Sequence, residues 1–177
     1  MVVSPVRLNH AVLVVADVDR STRFYVEVLG MEPVTRDPRG RHAFLRLPRS
    51  GQHHDLGLFG LPRSALASRP SLGLLHLGWQ LDTIDELVEF RQTMLDAGVL
   101  TGESSHGAVK SLYGRDPDDN EFEIMWLLPR EHWGAYENAA VVESLDLSAE
   151  LDRWSGVRTA NQFIDGISPP LAESSDR

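Results

Sequence analysis

The chain of 177 residues contains no cysteine. Without cysteine there can be no disulfide, thiolate zinc site, cysteine-ligated iron–sulfur cluster or cysteine nucleophile. Positive charge is also scarce, because 17 lysines and arginines face 26 aspartates and glutamates, for a net charge of −9. We therefore expect neither a nucleic acid nor an anionic membrane surface as a partner.

Long apolar runs are missing as well. No stretch approaches the roughly 18 consecutive apolar residues of a membrane-spanning helix. The first apolar run, LNHAVLVVAD, is interrupted by His10 and ends at Asp17, whereas a signal peptide needs an apolar core of about 7–15 residues. We therefore predict a cytoplasmic protein.

Two segments of the chain repeat one pattern: an apolar run with one histidine, an acidic turn and an amphipathic stretch that ends near a glycine. The first begins at Leu8 and reads LNHAVLVVADVDRSTRFYVEVLG. The second begins at Leu74 and reads LLHLGWQLDTIDELVEFRQTMLDAG. His10 and His76 occupy equivalent places in the two segments. A repeat of this length indicates a duplicated supersecondary module rather than a solenoid.

Each module is predicted to begin with a strand and a helix. The Val- and Leu-rich residues 6–15 and the alternating residues 74–81 predict strands. Gly30 and Gly98 are typical helix ends, and Asp82 is the predicted N-cap of the second helix. The shorter strands predicted after the helices lie at 43–47, 54–59, 109–113 and 121–128. Each half is predicted to read β-α-β-β-β, and these runs place two of the three strands that follow each helix.

The modules are predicted to form one domain over residues 1–130, with a linker and two further segments. Module 1 covers about residues 5–60, the linker 60–72 and module 2 about residues 73–128. Residues 131–166 are predicted to form a C-terminal helical extension, and residues 167–177 a disordered tail. The aromatic side chains of the extension could pack on the domain or on a second subunit, and we expect a homodimer. These side chains are Trp133, Tyr136 and Trp154.

Two histidines and a glutamate are candidate metal ligands. Because side chains alternate along a strand, His76 and Glu123 face away from the apolar neighbours that suit helix packing. A buried carboxylate without a partner is costly, so Glu123 in an apolar strand indicates a cation. Two His and one carboxylate are the set that holds non-haem Fe(II) with open positions. A lone strand histidine is more often hydrogen-bonded in a core or exposed, so the metal reading depends on His10, His76 and Glu123 together.

Three segments resemble the vicinal oxygen chelate superfamily: LNHAVLVVADVDRSTRFYVEVLG, LLHLGWQLDTIDEL and LYGRDPDDNEFEIMW. That family includes glyoxalase I, bleomycin-resistance proteins, fosfomycin-resistance enzymes and type I extradiol dioxygenases. The resemblance covers about residues 5–130. It implies an α+β fold in which two βαβββ modules form an incomplete barrel around one metal.

Further residues resemble those of the extradiol dioxygenases within this superfamily. HHDLGLF at 53–59 resembles the strand that carries the extradiol active-site histidine, which gives that role to His54. The order of His106, Tyr113 and Glu123 resembles the extradiol signature, although Asp119 stands where a Gly is usual and Ser104 is atypical. The resemblance implies that His10, His76 and Glu123 bind the metal. It also implies that three catalytic residues line the substrate side, namely His54, His106 and Tyr113.

The number of protein ligands to the metal distinguishes the branches of the family. A glyoxalase-type site takes four protein ligands, yet no Glu stands at 55–57, where the repeat would place the counterpart of Glu123. A fosfomycin-type site needs cations for a phosphonate, and only Lys110 and Arg115 lie near the signature. Three ligands leave room for both oxygens of a catechol and for dioxygen.

The sequence therefore predicts an Fe(II)-dependent extradiol dioxygenase that acts on a catechol-like aromatic diol with O2. Mn(II) or another divalent metal is an alternative to iron. The alternative functions are another metal-dependent member of the family, such as a glyoxalase-type isomerase or lyase or an antibiotic-modifying transferase, and a metal-free drug-binding resistance protein. His42, His53 and His132 have no assigned role.

Overall fold

The structure, a computed structural model, describes residues 8–61, 73–138 and 141–159. The linker predicted at 60–72 lies almost wholly outside these residues, and the tail predicted at 167–177 lies entirely outside them. The described residues form two compact units. Unit 1 holds the chain up to His76 together with the later turn Arg115–Glu121, and unit 2 holds Leu77–Gly114 and the residues from Phe122 onward. The predicted domain boundaries at 130 and 166 stay predictions.

The first module has the predicted β-α-β-β-β order. Its elements are β1 (Ala11–Val15), α1 (Val18–Leu29), β2 (Glu32–Arg36), β3 (His42–Arg46) and β4 (Leu56–Gly60). The four strands form one sheet in the order β1-β4-β3-β2. β1 runs parallel to β4, and the other neighbouring strands are antiparallel. The apolar residues of one sheet face, such as Leu45, Leu56 and Leu58, are fully buried.

The second module repeats this arrangement. Its elements are β5 (His76–Gln80), α2 (Ile84–Asp96), β6 (Leu100–Ser105), β7 (Val109–Arg115) and β8 (Glu121–Leu127). The strand order β5-β8-β7-β6 matches that of the first sheet. The predicted α+β class and the duplication are therefore confirmed.

The N-cap predicted for the second helix is wrong by one residue. Thr83 Oγ1, not the Asp82 carboxylate, accepts the backbone N–H of Glu86 at 3.1 Å. The Asp82 carboxylate instead accepts the backbone N–H of Thr159 at 3.1 Å and pairs with Arg158. A cap residue cannot be deduced from residue type when its side chain has a partner far along the chain.

The C-terminal extension is only partly helical. Two short 3-10 turns (Arg130–His132 and Gly134–Asn138) precede α3 (Leu147–Trp154). Gly134 has a left-handed φ of 49°, which interrupts any continuous helix. The Trp154 ring lies 6.2 Å from Trp126 and 4.7 Å from His132, so this aromatic side chain packs within its own chain. The homodimer stays a prediction. No helix in the described parts of the chain has both the length and the apolar character to cross a membrane.

In unit 1, the turn between β7 and β8 makes hydrogen bonds and an ion pair with helix α1 and the residues just before it. The Tyr25 hydroxyl donates to Asp116 Oδ2 at 3.0 Å. Asp118 accepts the backbone N–H of Ala16 at 3.0 Å and pairs with Arg20. Asp119, in the same turn, has a φ of 67°, a conformation that glycine adopts without steric cost. This explains why a glycine is usual at that place.

Stability above pH 10 should depend on Tyr25. Burial, and then the Asp116 carboxylate, raise the pKa of the Tyr25 phenol above the value of about 10 of an unfolded tyrosine. The stabilising contribution of this pKa shift is fully present below about pH 10 and is lost as the pH rises toward the folded-state pKa. Urea unfolding at a series of pH values should therefore give a falling free energy of unfolding above about pH 10.

Two phenylalanine variants provide the comparison. Tyr25→Phe should flatten this pH dependence, because the variant has no buried phenol to ionise. Tyr136→Phe should retain it, since the Tyr136 side chain is 39% exposed. An unchanged slope in Tyr25→Phe would show that other groups cause the loss of stability.

Candidate active site and metal centre

His10 stands immediately before β1, and its ring is oriented by the preceding residue. His10 Nδ1 lies 2.9 Å from the side-chain oxygen of Asn9, and the Asn9 amide in turn donates to Gln52. An amide oxygen only accepts, so Nδ1 carries the proton and Nε2 has the free lone pair. A histidine ligand is typically oriented in this way by a partner on its other nitrogen.

His76, the first residue of β5, lies near a carboxylate. Its Nδ1 is 3.4 Å from Oε1 of Glu121, and both residues belong to unit 1. This separation is longer than the 2.9 Å contact between His10 and Asn9, and a nearby carboxylate favours a proton on Nδ1. His10 and His76 are thus equivalent in the repeat, and each has an acceptor near Nδ1.

His54 lies against His10 in unit 1. The two rings are 4.6 Å apart, and the Phe44 ring lies 5.0 Å from His54 on another side. Partial burial lowers the pKa of His54, and the neighbouring imidazoles of His10 and His53 lower it further. Asp55 opposes this shift. The result is an imidazole that is neutral near pH 7 and can accept a proton.

Glu123 lies on β8 and is contacted by two residues of unit 2. The Tyr113 hydroxyl donates to Glu123 Oε1 at 3.1 Å. On β5, a Cβ atom added to Gly78 would lie 3.1 Å from Glu123 Oε2, so the absence of a side chain at Gly78 leaves room beside this oxygen. Burial raises the pKa of Tyr113, and the phenol therefore keeps its proton at neutral pH.

His106 completes a hydrogen-bonded chain with these residues. Its Nε2 lies 2.8 Å from the Tyr113 hydroxyl and 2.8 Å from the Ser104 hydroxyl. Its Nδ1 lies 3.0 Å from the backbone carbonyl of Val141. The structure thus brings together three of the predicted site residues in unit 2: His106, Tyr113 and Glu123.

The first module has no counterpart of the Glu123 carboxylate. Gly57 stands at the equivalent place of the repeat, on β4. A Cβ atom at Gly57 would lie 3.3 Å from Cε1 of Phe44 and 3.3 Å from Cγ2 of Val12, so an aromatic ring fills the space. His54 precedes β4, and its contacts with His10 and Phe44 put it on the opposite face from the buried Leu56. His54 lies outside this strand, which begins only at Leu56.

The two cations near the signature are both paired with carboxylates. Lys110 is buried, and its Nζ lies 2.7 Å from Glu150 Oε1 and 2.9 Å from Ser105 Oγ. Arg115 pairs with Asp119 at 3.1 Å and with Glu121 at 3.3 Å. Neither guanidinium nor ammonium is thus arranged as a binding group for an anionic substrate.

The donor chemistry fits a divalent metal that accepts nitrogen and oxygen ligands. His10 and His76 belong to unit 1 and Glu123 to unit 2. Within the described ranges, no three His, Asp or Glu side chains are gathered as a complete metal site requires. The three-residue centre is therefore still a prediction, which metal analysis can test. Asn9, Glu121 and the Val141 carbonyl, which orient the histidines, were not found from the sequence as partners of these rings.

Comparison with known proteins identifies the family. Residues 7–124 match the Glyoxalase/Bleomycin resistance protein/Dioxygenase superfamily. Biphenyl-2,3-diol 1,2-dioxygenase 3 of Rhodococcus globerulus is 34% identical over 127 residues, which are 70% of this chain and 64% of that protein. The virulence protein STM3117 of Salmonella typhimurium (strain LT2) is 34% identical over 125 residues, which are 67% of this chain and 82% of that protein.

A solved structure has the same fold. The glyoxalase/dioxygenase from Nostoc punctiforme aligns with a TM-score of 0.59 at 21% identity, over 73% of this chain and 98% of that chain. The fold is that of a protein built from paired βαβββ modules. The chain belongs to the glyoxalase/bleomycin resistance protein/dioxygenase superfamily.

Proposed function

We propose that the protein is an extradiol ring-cleaving dioxygenase that uses Fe(II) and O2 on a catechol-like aromatic diol. The observation that carries this proposal is the chain of hydrogen bonds from His106 through Tyr113 to Glu123. These are three residues of the predicted extradiol signature. Similarity to a biphenyl-diol dioxygenase supports the same reaction class, although this chain spans only 64% of the length of that enzyme.

His10, His76 and Glu123 are the proposed metal ligands. The bound metal would act as a Lewis acid that lowers the pKa of the two substrate hydroxyls and would keep an open position for O2. The protein's own contribution is to orient the ligands. Asn9 and Glu121 each face Nδ1 of a histidine.

His54 is the proposed acid–base group. Because its pKa is lowered, its imidazole is neutral at the pH where the reaction must start. A neutral imidazole can take the proton of a substrate hydroxyl and return it later. Tyr113 keeps its phenolic proton, and the Tyr113 hydroxyl and His106 would form hydrogen bonds with the substrate oxygens.

Two observations weigh against the alternatives within the family. A four-ligand isomerase site would need a carboxylate at Gly57, where the Phe44 ring fills the space. A phosphonate-binding transferase would need cations, yet Lys110 and Arg115 are engaged with carboxylates. A metal-free drug-binding protein has no need of histidines with orienting partners on Nδ1.

Oxygen consumption tests the proposed reaction. Protein purified without oxygen and loaded with Fe(II) should consume O2 when a panel of catechols is added, and the product should be the substrate plus both atoms of O2. A parallel sample loaded with Mn(II) identifies the preferred metal. Isomerisation of a substrate without O2 uptake would contradict the proposal, as would tight metal binding without turnover of any catechol.

A further inference from the structure

The C-terminal extension reaches the proposed active site through residues 141–143, which we name the strap. The backbone of Glu143 pairs with that of Ser105 by two hydrogen bonds of 2.9 Å, as an antiparallel bridge. Ser105 ends β6, which is the edge strand of the second sheet. The strap therefore covers part of a sheet edge whose N–H and C=O groups would otherwise be open.

The same pairing places a backbone carbonyl against His106. His106 follows Ser105 directly, and its Nδ1 lies 3.0 Å from the carbonyl oxygen of Val141. A carbonyl oxygen can only accept, so the proton of the neutral imidazole is on Nδ1. The Nε2 atom then has the lone pair and is the nitrogen at which a proton can be gained or lost.

Nε2 points at the hydroxyl groups of the site. The Ser104 hydroxyl, 2.8 Å away, can donate to this lone pair, and Tyr113 Oη lies 2.8 Å away with a single proton that either Nε2 or Glu123 accepts. With the other tautomer, Nδ1 would face the carbonyl of Val141 as a second acceptor, which is unfavourable for a partly buried pair. Without the carbonyl, the ring could flip or exchange its proton between the two nitrogens.

The strap is secured on its C-terminal side as well. The Lys110 ammonium donates to Ser105 Oγ at 2.9 Å and pairs with Glu150 of α3 at 2.7 Å. Lys110 is 5% exposed, so this ion pair is shielded from water. The strap and the helix that follows it are thus both attached at Ser105, next to His106.

We propose that the strap is a positioning element of the active site, in which the Val141 carbonyl fixes His106 in the Nδ1–H tautomer. Val141 and Glu143 lie outside residues 7–124, which match the superfamily, so the device is a feature of this chain beyond the family domain. The effect on tautomer follows from the contacts alone. The effect on turnover rests on the proposed function.

Nitrogen NMR of metal-free protein labelled with ¹⁵N-histidine tests the tautomer directly. In the wild-type protein, above the pH at which His106 ionises, the His106 signals should show a protonated Nδ1 and an unprotonated Nε2. His106→Gln identifies those signals. A coupling across the hydrogen bond from Nδ1 to the Val141 carbonyl carbon is also expected. A protonated Nε2 or a mixture of tautomers in the wild-type protein would overturn the proposal without any strap variant.

Two substitutions at Glu143 distinguish the role of its backbone hydrogen bonds from the role of its side chain. Glu143→Pro removes the N–H that donates to Ser105, whereas Glu143→Ala keeps it. Glu143→Pro should give a mixture of His106 tautomers, and Glu143→Ala should resemble the wild type. If Glu143→Pro remains folded by circular dichroism and keeps a pure Nδ1–H form, the strap does not set the tautomer.

Turnover forms the second readout. In the Fe(II)-loaded enzyme, a displaced His106 should lower kcat by about 10–10²-fold in Glu143→Pro, since small misplacements of a catalytic group have effects of this size. Iron content should be unchanged. If the tautomer shifts as expected but the wild type consumes no O2 with any catechol, the proposed function fails and the strap inference stands. If the wild type turns over but Glu143→Pro keeps its tautomer, the strap inference fails alone.

Discussion

Replacement of any one of the three proposed ligands should abolish stoichiometric Fe(II) binding. Loss of a partner that merely orients a ligand lowers metal affinity by roughly 10–100-fold, and loss of the ligand itself should exceed that. His10→Ala, His76→Ala and Glu123→Ala should each remove most of the iron from protein equilibrated with a limiting supply of the metal. Metal analysis after anaerobic gel filtration gives the stoichiometry, and far-UV circular dichroism shows whether the fold persists.

His132→Ala is the matched control for the two histidine variants. The His132 ring lies 4.7 Å from Trp154 within the C-terminal extension, and His132 is not one of the proposed donors. It should bind one iron per chain as the wild type does. Stoichiometric iron in a variant with all three alanine substitutions would refute the ligand assignment. An equal loss of iron in His132→Ala would indicate a general effect of mutation on stability.

The second large effect is expected at His54. Phenylalanine has nearly the size of histidine and suits a position beside the Phe44 ring, so His54→Phe should fold and retain iron. It has no group that can transfer a proton. Turnover of a catechol should therefore fall by roughly 10²–10⁴-fold, the usual contribution of a positioned acid–base group.

Tyr113→Phe should lower turnover less than His54→Phe does. Its ring still fills the space, and the hydrogen bonds of the hydroxyl, which include those with His106 and Glu123, are lost. Iron content and kcat measured on the same samples separate the two roles. Loss of iron in His54→Phe would make His54 a ligand, and full activity would reduce it to a packing residue beside His10.

Strands with one buried face and a regular alternation are readily predicted from the sequence. β3 and β8 alternate strictly between buried and half-exposed residues, so the period of two is visible in the sequence. β2 (Glu32–Arg36) was not located, because it has no buried residue and hence no alternation. β6 (Leu100–Ser105), with a polar and glycine-containing sequence, gives a similarly weak signal. Both strands form because their neighbours supply hydrogen-bonding partners.

The residues of the candidate site also differ in how easily they can be recognised from the sequence. His10, His76 and Glu123 are conspicuous because each is a polar group in an otherwise apolar run of the sequence. The groups that orient the histidines have no such signature. Asn9 could be suspected from its place beside His10, but the contact of Val141 with His106 joins residues 35 positions apart and uses a backbone carbonyl. Every residue has a backbone carbonyl, so the residue type does not indicate which carbonyl contacts His106.

The turn Arg115–Glu121 has a consequence for any attempt to recombine the modules. It is encoded within the second module, yet its carboxylates accept hydrogen bonds from Tyr25 and Ala16 of the first. A chimera that took its second half from a relative would leave α1 without these acceptors unless Asp116 and Asp118 came with it. A fragment that ended before β5 would lack them altogether. The first module therefore takes these acceptors from the second, and an exchange of modules that keeps the contacts has to include this turn.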